Sequence, residues 1–151
     1  FIQEKEYNMS SSKNLYEVFD AFEKATNKEE KKQVLRDNNS FALRSILRAN
    51  FHPRIRFLFE KIPPYKRSDM PIGMGYSSID MEINRMYLFE KDNPAAPKEL
   101  TQQRRELLLI QILEVLESRE ADIFAAAIMK NLKVRGLTKA LVMEVFADIE
   151  N

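Results

Sequence analysis

The stretch that decides the fold is residues 120–146, EADIFAAAIMKNLKVRGLTKALVMEVF. Its first part repeats apolar residues at spacings of three and four, as between Phe124 and Ile128, which is the pattern of a helix with one buried face. Gly136 interrupts this pattern, and Thr138 can cap a second helix after it. The stretch therefore predicts two helices joined by a short turn that contains a glycine.

The same periodicity recurs along the rest of the chain and predicts an all-α protein. Only three glycines occur in 151 residues, which argues against a sheet with many hairpins. Most of the apolar stripes follow a serine, threonine or asparagine, the residues preferred as helix N-caps. The predicted helices begin after Ser12, at Asn27, at Ser40, at Arg54, at Ser77 or Ser78, at Thr101, at Ser118 and at Thr138. We expect about seven or eight short-to-medium helices.

One long loop divides the chain. Residues 63–77 contain three of the six prolines and two of the three glycines. The halves on either side are each too small to bury a good core alone, so we expect them to form one compact domain. The expected boundaries are 1–11 for a disordered lead or residues left from cloning, 12–63 and 77–151 for the halves, 64–76 for the loop and 12–151 for the domain.

The composition excludes several classes of protein. The absence of cysteine excludes a disulfide scaffold, a zinc-thiolate site and a cysteine nucleophile. The longest apolar run, residues 123–129, is far shorter than the roughly 20 residues that a membrane span needs. The amino terminus has no basic-then-apolar signal pattern. A cytoplasmic location is therefore the expectation.

We expect no catalytic centre, no cofactor and no metal site. His52 is the only histidine, so neither a catalytic triad nor a histidine-rich metal site can form. No P-loop, dinucleotide-binding motif or EF-hand loop occurs. The carboxylate pairs Glu114–Glu117 and Asp80–Glu82 are interpreted as solvated helix faces. The sequence therefore predicts a protein that is not an enzyme.

Charge is distributed unevenly, although 24 Lys and Arg against 23 Asp and Glu leave a formal net charge of +1. Residues 36–67 hold eight basic and two acidic residues, and residues 123–139 hold four basic and no acidic residues. Residues 80–122 carry ten acidic against six basic residues. Two interpretations stay open: ordinary solvated helix faces, or a local patch that binds a polyanion.

The turn at residues 132–139 is the candidate binding site. Gly136 permits close approach to the backbone, and the N–H groups and dipole at the next helix start favour an anion. Lys133, Arg135 and Lys139 surround this position, so a backbone phosphate is the expected ligand. The alternative is a plain turn, in which the glycine only supplies a positive φ angle and the following threonine only caps the helix.

The order of these features resembles the amino-terminal DNA-binding domain of ATP-dependent DNA ligases, in the short version found in T4-like tailed phages. Residues 15–35 look like its opening helix, polar turn and Lys-rich helix, and residues 54–63 look like its aromatic-rich short helix. Residues 120–146 look like its helix, glycine turn and final helix. The chain also looks like small stand-alone proteins of T4-like phages that infect marine cyanobacteria.

The resemblance implies an all-helical domain that grips the backbone of duplex DNA across the minor groove. No Lys-x-Asp-Gly adenylation motif occurs in the chain, so ligation by this chain alone is excluded. Two DNA-contact areas are implied, one at the glycine turn and one in the basic segment. They consist of Lys133, Arg135, Gly136, Leu137, Thr138 and Lys139, and of Arg44, Arg48, Arg54, Arg56 and Lys61.

Two functions remain open at this point. The first is a non-catalytic phage protein that binds double-stranded DNA, at nicks or ends, through backbone phosphates. The second is an adaptor that binds a phage replication protein or a host protein, as in host takeover, without binding DNA. Its contacts would include Met70, Ile72, Met74, Tyr76, Phe57 and Phe59, since methionines and exposed aromatics favour protein interfaces. For the two phenylalanines, ordinary core packing is the alternative.

Overall fold

The computed structural model describes residues 13–71 and 74–151. Within these ranges the regular structure is helical, and the prediction of an all-α fold with about seven or eight helices is confirmed. The expectation for residues 1–11 lies outside the described residues. The helices are α1 (Leu15–Lys24), α2 (Lys28–Asp37), α3 (Phe41–Phe51), α4 (Ile79–Glu82), α5 (Gln102–Val115), α6 (Ser118–Ile128) and α7 (Lys139–Val145), and a 3₁₀ helix (Ile83–Phe89) continues α4.

Five helices begin at the residues that the sequence indicates. In each case the side-chain oxygen of the N-cap residue accepts a hydrogen bond from the backbone N–H three residues later. This bond satisfies one of the backbone donors that a helix start leaves without a helical partner. The N-caps are Asn27 for α2, Ser40 for α3, Ser78 for α4, Thr101 for α5 and Thr138 for α7.

Two helix starts differ from the prediction. The N-cap of α1 is Asn14, whose backbone N–H donates a 2.8 Å hydrogen bond to Glu17 Oε1; Ser12 lies outside the described residues. The N-cap of α6 is Glu117, so Ser118 lies inside the helix. The Glu117 carboxylate accepts from the N–H groups two and three residues later, at 3.0 and 2.8 Å. A carboxylate satisfies two donors and complements the helix dipole, which a serine hydroxyl does less well.

The predicted short helix at residues 54–62 is wrong. This segment is not helical, and its backbone pairs with the chain that follows the 3₁₀ helix. The N–H of Leu58 donates to the carbonyl of Phe89 at 2.9 Å, and the N–H of Lys91 donates to the carbonyl of Arg56 at 2.7 Å. The apolar spacing suits a helix, but these non-local hydrogen bonds and the flanking prolines favour an extended path.

The hydrophobic core draws on both halves of the chain. Helix α6 lies at its centre and packs against α1, α3, α4 and α5. The largest completely buried side chains are Phe22, Phe89 and Phe124, one each from α1, the 3₁₀ helix and α6. Helix α7 packs against α2, which itself packs against α1. This arrangement holds the glycine turn beside the first two helices.

Candidate functional site

The glycine turn has the predicted backbone, but one of its donors is already used. Gly136 has a φ angle of +87°, in the region that favours glycine. The N–H of Arg135 donates a 2.7 Å hydrogen bond to Glu23 Oε2, at the end of α1. Thr138 accepts a 3.2 Å hydrogen bond from the N–H three residues later and caps α7. The turn is therefore tied to α1 by a carboxylate of the protein itself.

A lysine that the sequence analysis did not single out stands beside this turn. A Cβ atom placed on Gly136 would lie 3.4 Å from Lys31 Cε. The Lys31 Nζ atom donates a 2.9 Å hydrogen bond to the carbonyl of Phe22 and lies 5.0 Å from the centroid of its ring. These contacts fix a positive charge next to the glycine. Its only signal in the sequence is membership of the Lys-rich helix.

Lys133 faces a groove between α1 and α6 of about 480 Å³. Within this groove Arg119 forms a two-pronged ion pair with Asp20, at 2.9 and 2.8 Å, and its guanidinium lies 4.7 Å from the centroid of the Tyr16 ring. The hydrogen bonds from Arg119 hold the pKa of Asp20 below its usual value. Glu23 lines the same groove, so the surroundings of Lys133 carry charge of both signs.

Lys130 connects the end of α6 to the end of α3. Its Nζ atom donates hydrogen bonds to the carbonyls of Ala49, at 2.7 Å, and His52, at 2.9 Å. Burial lowers the pKa of this lysine; the nearby charge of Arg56 and that of Lys139 lower it further, while the charge of Glu90 opposes them. Cations from the turn after α6, from α7 and from the segment after α3 are therefore close enough to repel one another.

His52, whose carbonyl accepts a hydrogen bond from Lys130, lies in the same region. Burial lowers its pKa, and the charges of Arg48 and Arg54 add to the effect, while a hydrogen bond with the main chain of Glu150 opposes it. We use the name basic face for the five cationic residues that meet around this point. The basic face consists of Arg48, Arg54, Arg56, Lys130 and Lys139.

Residues 147–151, which we name the acidic segment, lie against this face. Glu150 forms an ion pair with Lys139, which lowers the pKa of the Glu150 carboxyl. Asp148 forms an ion pair of 2.5 Å with Arg44, one turn before Arg48 on α3. Two of the predicted DNA-contact residues are therefore neutralised by carboxylates of the chain itself.

The main chain of the acidic segment also contacts the basic face. Arg48 donates hydrogen bonds to the carbonyl oxygen of Ile149, at 3.2 Å, and to a main-chain oxygen of Asn151. The side chain of Ile149 is buried, and the Arg44 guanidinium lies 5.0 Å from the centroid of the Phe146 ring. Apolar burial thus positions the segment, and arginine donors hold its oxygen atoms.

The predicted DNA-contact residues fall into different surroundings. Lys133 and the Arg135–Gly136 turn contact or face α1 and α2. Leu137 packs against the hydrophobic core. Lys61 is exposed in the non-helical segment after α3. The residues that the structure brings together are Arg48, Arg54, Arg56 and Lys139, joined by Lys130, which was counted as a basic residue but not chosen as a site residue.

Comparison with known protein families gives one match. A family model described as "Family of unknown function (DUF6433)" matches residues 18–134. The chain belongs to the DUF6433 family. The match begins within α1 and ends in the turn before α7. No curated protein and no solved structure matches the chain.

Two acidic residues of this DUF6433 protein are not solvated as predicted. Glu117 is completely buried, because its carboxylate caps the start of α6. Glu82 is buried as well, and its carboxylate accepts hydrogen bonds from Ser77 Oγ, at 2.6 Å, and from Arg85, at 2.9 Å. Their predicted partners Glu114 and Asp80 are exposed. Glu117 thus serves as a helix cap, and Glu82 is held by side-chain hydrogen bonds.

A third buried carboxyl lies next to these. Glu120 is only 3% exposed, and its carboxylate receives a hydrogen bond from the backbone of Ile79 at the start of α4. Burial raises its pKa to about 7, and the negative charges of Glu117 and Asp80 contribute to the rise. The contact between α4 and α6 in the DUF6433 protein therefore contains a carboxyl that titrates near neutral pH.

Residues 13–71 and 74–151 contain neither a cluster of potential metal ligands nor a helix that could span a membrane. No group of three or more histidine, aspartate or glutamate residues is arranged to hold a metal ion there. None of the helices in that part of the chain is both long and apolar enough to cross a membrane.

Proposed function

We propose that this DUF6433 protein is a non-catalytic module that binds double-stranded DNA through backbone phosphates. The observation that carries the proposal is the basic face, because its cations come from α3, the segment after it, the turn after α6, and α7. Grouping like charges costs free energy, and carboxylates of the chain itself, such as Glu150 beside Lys139, offset part of that cost. A polyanion with regularly spaced phosphates repays that cost.

The exposed part of the basic face suits contacts that position DNA without reading its sequence. Arg54 and Arg56 are exposed and line a polar groove of about 440 Å³, together with Lys91 and Asn93. Arginine and lysine donors of this kind bind phosphate oxygens, which carry no base information. Glu90 and Asp92 line the same groove, and these two carboxylates limit the affinity that we expect.

The sequence resemblance to the DNA-ligase domain is a further reason for the proposal, although the short helix that it implies at residues 54–62 is not formed. Residues 132–146 combine a glycine turn, a threonine cap and a basic residue at the helix start. The proposed setting is the cytoplasm of a phage-infected bacterium, where replication supplies duplex DNA with nicks and ends. The role needs no cofactor or metal ion, because the protein would hold DNA and leave the chemistry to a partner.

Fluorescence anisotropy tests the proposal directly. A labelled nicked duplex, an intact duplex and a single strand are titrated with the protein at low salt and at fourfold higher salt. With about four phosphates contacted, the logarithmic salt slope is near −3.6, which is roughly a 150-fold loss of affinity over that range. We expect duplex binding at micromolar concentrations or tighter. An absence of binding even at low salt contradicts the proposal.

Charge reversal shows whether the basic face is the contact surface. The double variant Arg54→Glu/Arg56→Glu places two negative charges in the groove and should abolish duplex binding. Lys24→Glu/Lys66→Glu is the matched control, since it changes the net charge equally at exposed lysines of α1 and the long loop. We expect the control to retain salt-sensitive binding. Circular dichroism verifies that both variants stay helical.

A second candidate, the protein-interaction adaptor, is favoured by one observation. Three apolar side chains on the loop and α4 are strongly exposed, namely Met74 (62%), Tyr76 (79%) and Met81 (68%). Ile72 lies outside the described residues, and Phe57 and Phe59 pack against the core. Such methionines and tyrosines are typical of protein interfaces. Capture from phage-infected cells, compared between the wild type and Met74→Ser/Tyr76→Ser, tests this candidate.

A further inference from the structure

We propose that the acidic segment, residues 147–151, is an internal competitor of DNA for Arg48 and Lys139 of the basic face and for the neighbouring Arg44, and that duplex DNA displaces its carboxylates on binding. The inference rests on the proposed function and adds regulation to it. The two ion pairs and the arginine contacts of this segment are the observations that carry it. The ligand that occupies these cations in the free protein is thus part of the same chain.

The segment presents oxygen atoms where a DNA strand would present phosphate oxygens. Glu150 forms an ion pair with Lys139, the first residue of α7, and Asp148 forms one with Arg44 on α3. Between them, Arg48 donates to main-chain oxygens. Carboxylates and phosphates use the same charge-assisted donors, so the two ligands exclude each other at these cations.

The contacts are of a strength that allows exchange. The Asp148 and Glu150 side chains are 58% and 30% exposed, and exposed ion pairs of this kind contribute little to stability. The segment is nevertheless always present at high local concentration, because Phe146 and Ile149 are buried and tether it to the core. DNA must therefore compete with a weak ligand that never diffuses away.

Neutralising the two carboxylates tests the inference. Asp148→Asn/Glu150→Gln keeps the shape of both side chains and leaves the buried Ile149 in place. Asp69→Asn/Asp80→Asn is the matched control, because it raises the net charge by the same amount at exposed positions in the long loop and α4. All three proteins are titrated onto the same labelled duplex at several salt concentrations, and circular dichroism confirms their helical content.

We expect the segment variant to bind tighter at low salt and to depend more steeply on salt. In the wild type, rising salt also weakens the two internal ion pairs that DNA must break, which offsets the salt dependence of the phosphate contacts at those cations. Without these pairs the logarithmic slope becomes more negative by about 1.8, which is roughly a further 12-fold loss of affinity for a fourfold rise in salt. The control should keep the wild-type slope. Binding by the segment variant alone also supports the inference, since the wild-type segment then blocks the face completely.

The contrary outcomes are distinguishable. If the wild type binds duplex with a salt dependence and the segment variant shows the same affinity and slope, competition is refuted while the proposed function stands. Equal slopes in the segment variant and the control, both steeper than wild type, refute it too. If none of the proteins binds duplex at low salt, the proposed function and this inference both fail.

A measurement on the segment itself completes the test. ¹⁵N relaxation reports the picosecond-to-nanosecond mobility of residues 147–151 with and without unlabelled duplex. Displacement should raise the mobility of the residues around Asp148 and Glu150, while the amide of the buried Ile149 changes less. A segment that stays as rigid in the DNA-bound protein as in the free protein overturns the inference.

Discussion

The backbone N–H of Arg135 donates a 2.7 Å hydrogen bond to the Oε2 atom of Glu23, a residue 112 positions earlier in the chain. The turn that was predicted to receive a phosphate thus has a carboxylate of the protein at one of its donors. The same happens at Lys139, whose ion-pair partner is Glu150. Internal carboxylates in this fold therefore occupy positions for which the sequence predicts an external anion.

Replacing Glu23 tests how much the turn depends on this hydrogen bond. Glu23→Ala removes the acceptor and should lower the free energy of unfolding by about 1 kcal/mol, the typical contribution of one hydrogen bond. Glu23→Gln retains an acceptor oxygen and should lose less. Urea denaturation followed by circular dichroism measures both. Equal losses in the two variants would mean that the charge, rather than the acceptor atom, stabilises the turn.

The positive φ angle of Gly136 determines which substitutions this position tolerates. Gly136→Ala forces a side chain into the left-handed region and should cost about 1–2 kcal/mol in unfolding free energy, although the neighbouring Lys31 leaves enough space for a Cβ atom. Gly136→Asn should cost less, because asparagine tolerates this region better than most residues. Thermal or urea unfolding of the two variants separates backbone strain from crowding, because asparagine is larger than alanine but less strained at positive φ. An alanine variant as stable as the wild type contradicts the argument.

Gly75 should also be intolerant of substitution, but because of a close backbone contact and not because of its φ angle. A Cβ atom there would lie 2.5 Å from the backbone nitrogen of Glu117, at the start of α6, and backbone cannot move aside as a flexible side chain can. We expect Gly75→Ala to lower the unfolding free energy by about 1–3 kcal/mol, the range for overpacking. Met74→Ala, at the exposed neighbouring position, should stay within about 0.5 kcal/mol of wild type. Comparable losses in both variants would refute the close-approach explanation.

Glu120 predicts how stability depends on pH. Its pKa is raised from 4.5 to about 7 in the folded protein, so the folded state binds more protons than the unfolded state between these values. Its contribution is therefore fully present below pH 4.5 and is lost as the pH rises through 7. The shift corresponds to a loss of about 3 kcal/mol by pH 8. Glu120→Gln, which stays neutral, should be more stable than wild type at pH 8.

Urea unfolding of the wild type and Glu120→Gln at pH 5 and pH 8 measures this effect. Burial lowers the pKa of His52, which makes stability rise with pH over the lower part of the same window. Because His52 is present in both proteins, its contribution cancels in the difference between them. A difference that does not change between the two pH values would show that Glu120 is ionised in the fold across the window.

Helix positions and most helix starts could be predicted from the sequence. Asn27, Ser40, Thr101 and Thr138 cap the helices that follow them, as their spacing indicates. Capping and apolar periodicity are local, since they involve residues within about four positions of one another. The exceptions are Asn14 and Glu117. Acidic caps occur at solvated helix starts as well, and nothing in the sequence marks Glu117 as buried.

The path of residues 54–62 could not be predicted from local spacing. Their apolar pattern fits a helix, but the hydrogen bonds that decide the path connect Arg56 and Leu58 to residues 89–91. Such pairing depends on where the 3₁₀ helix lies after the core has formed. An apolar stripe indicates which side chains are buried, but it does not indicate which backbone groups the segment will hydrogen-bond to.

The sequence by itself determined the all-α class, five of the helix caps and the two basic stretches of this protein. Only the tertiary structure decided which cations meet: Lys130 joins Arg56 and Lys139, while the acidic segment reaches Arg44 from a position 104 residues away. Periodicity assigns a side chain to a face of its own helix, because that depends on the backbone repeat alone. Which faces then come together depends on helix packing over the whole core, and no local pattern encodes it.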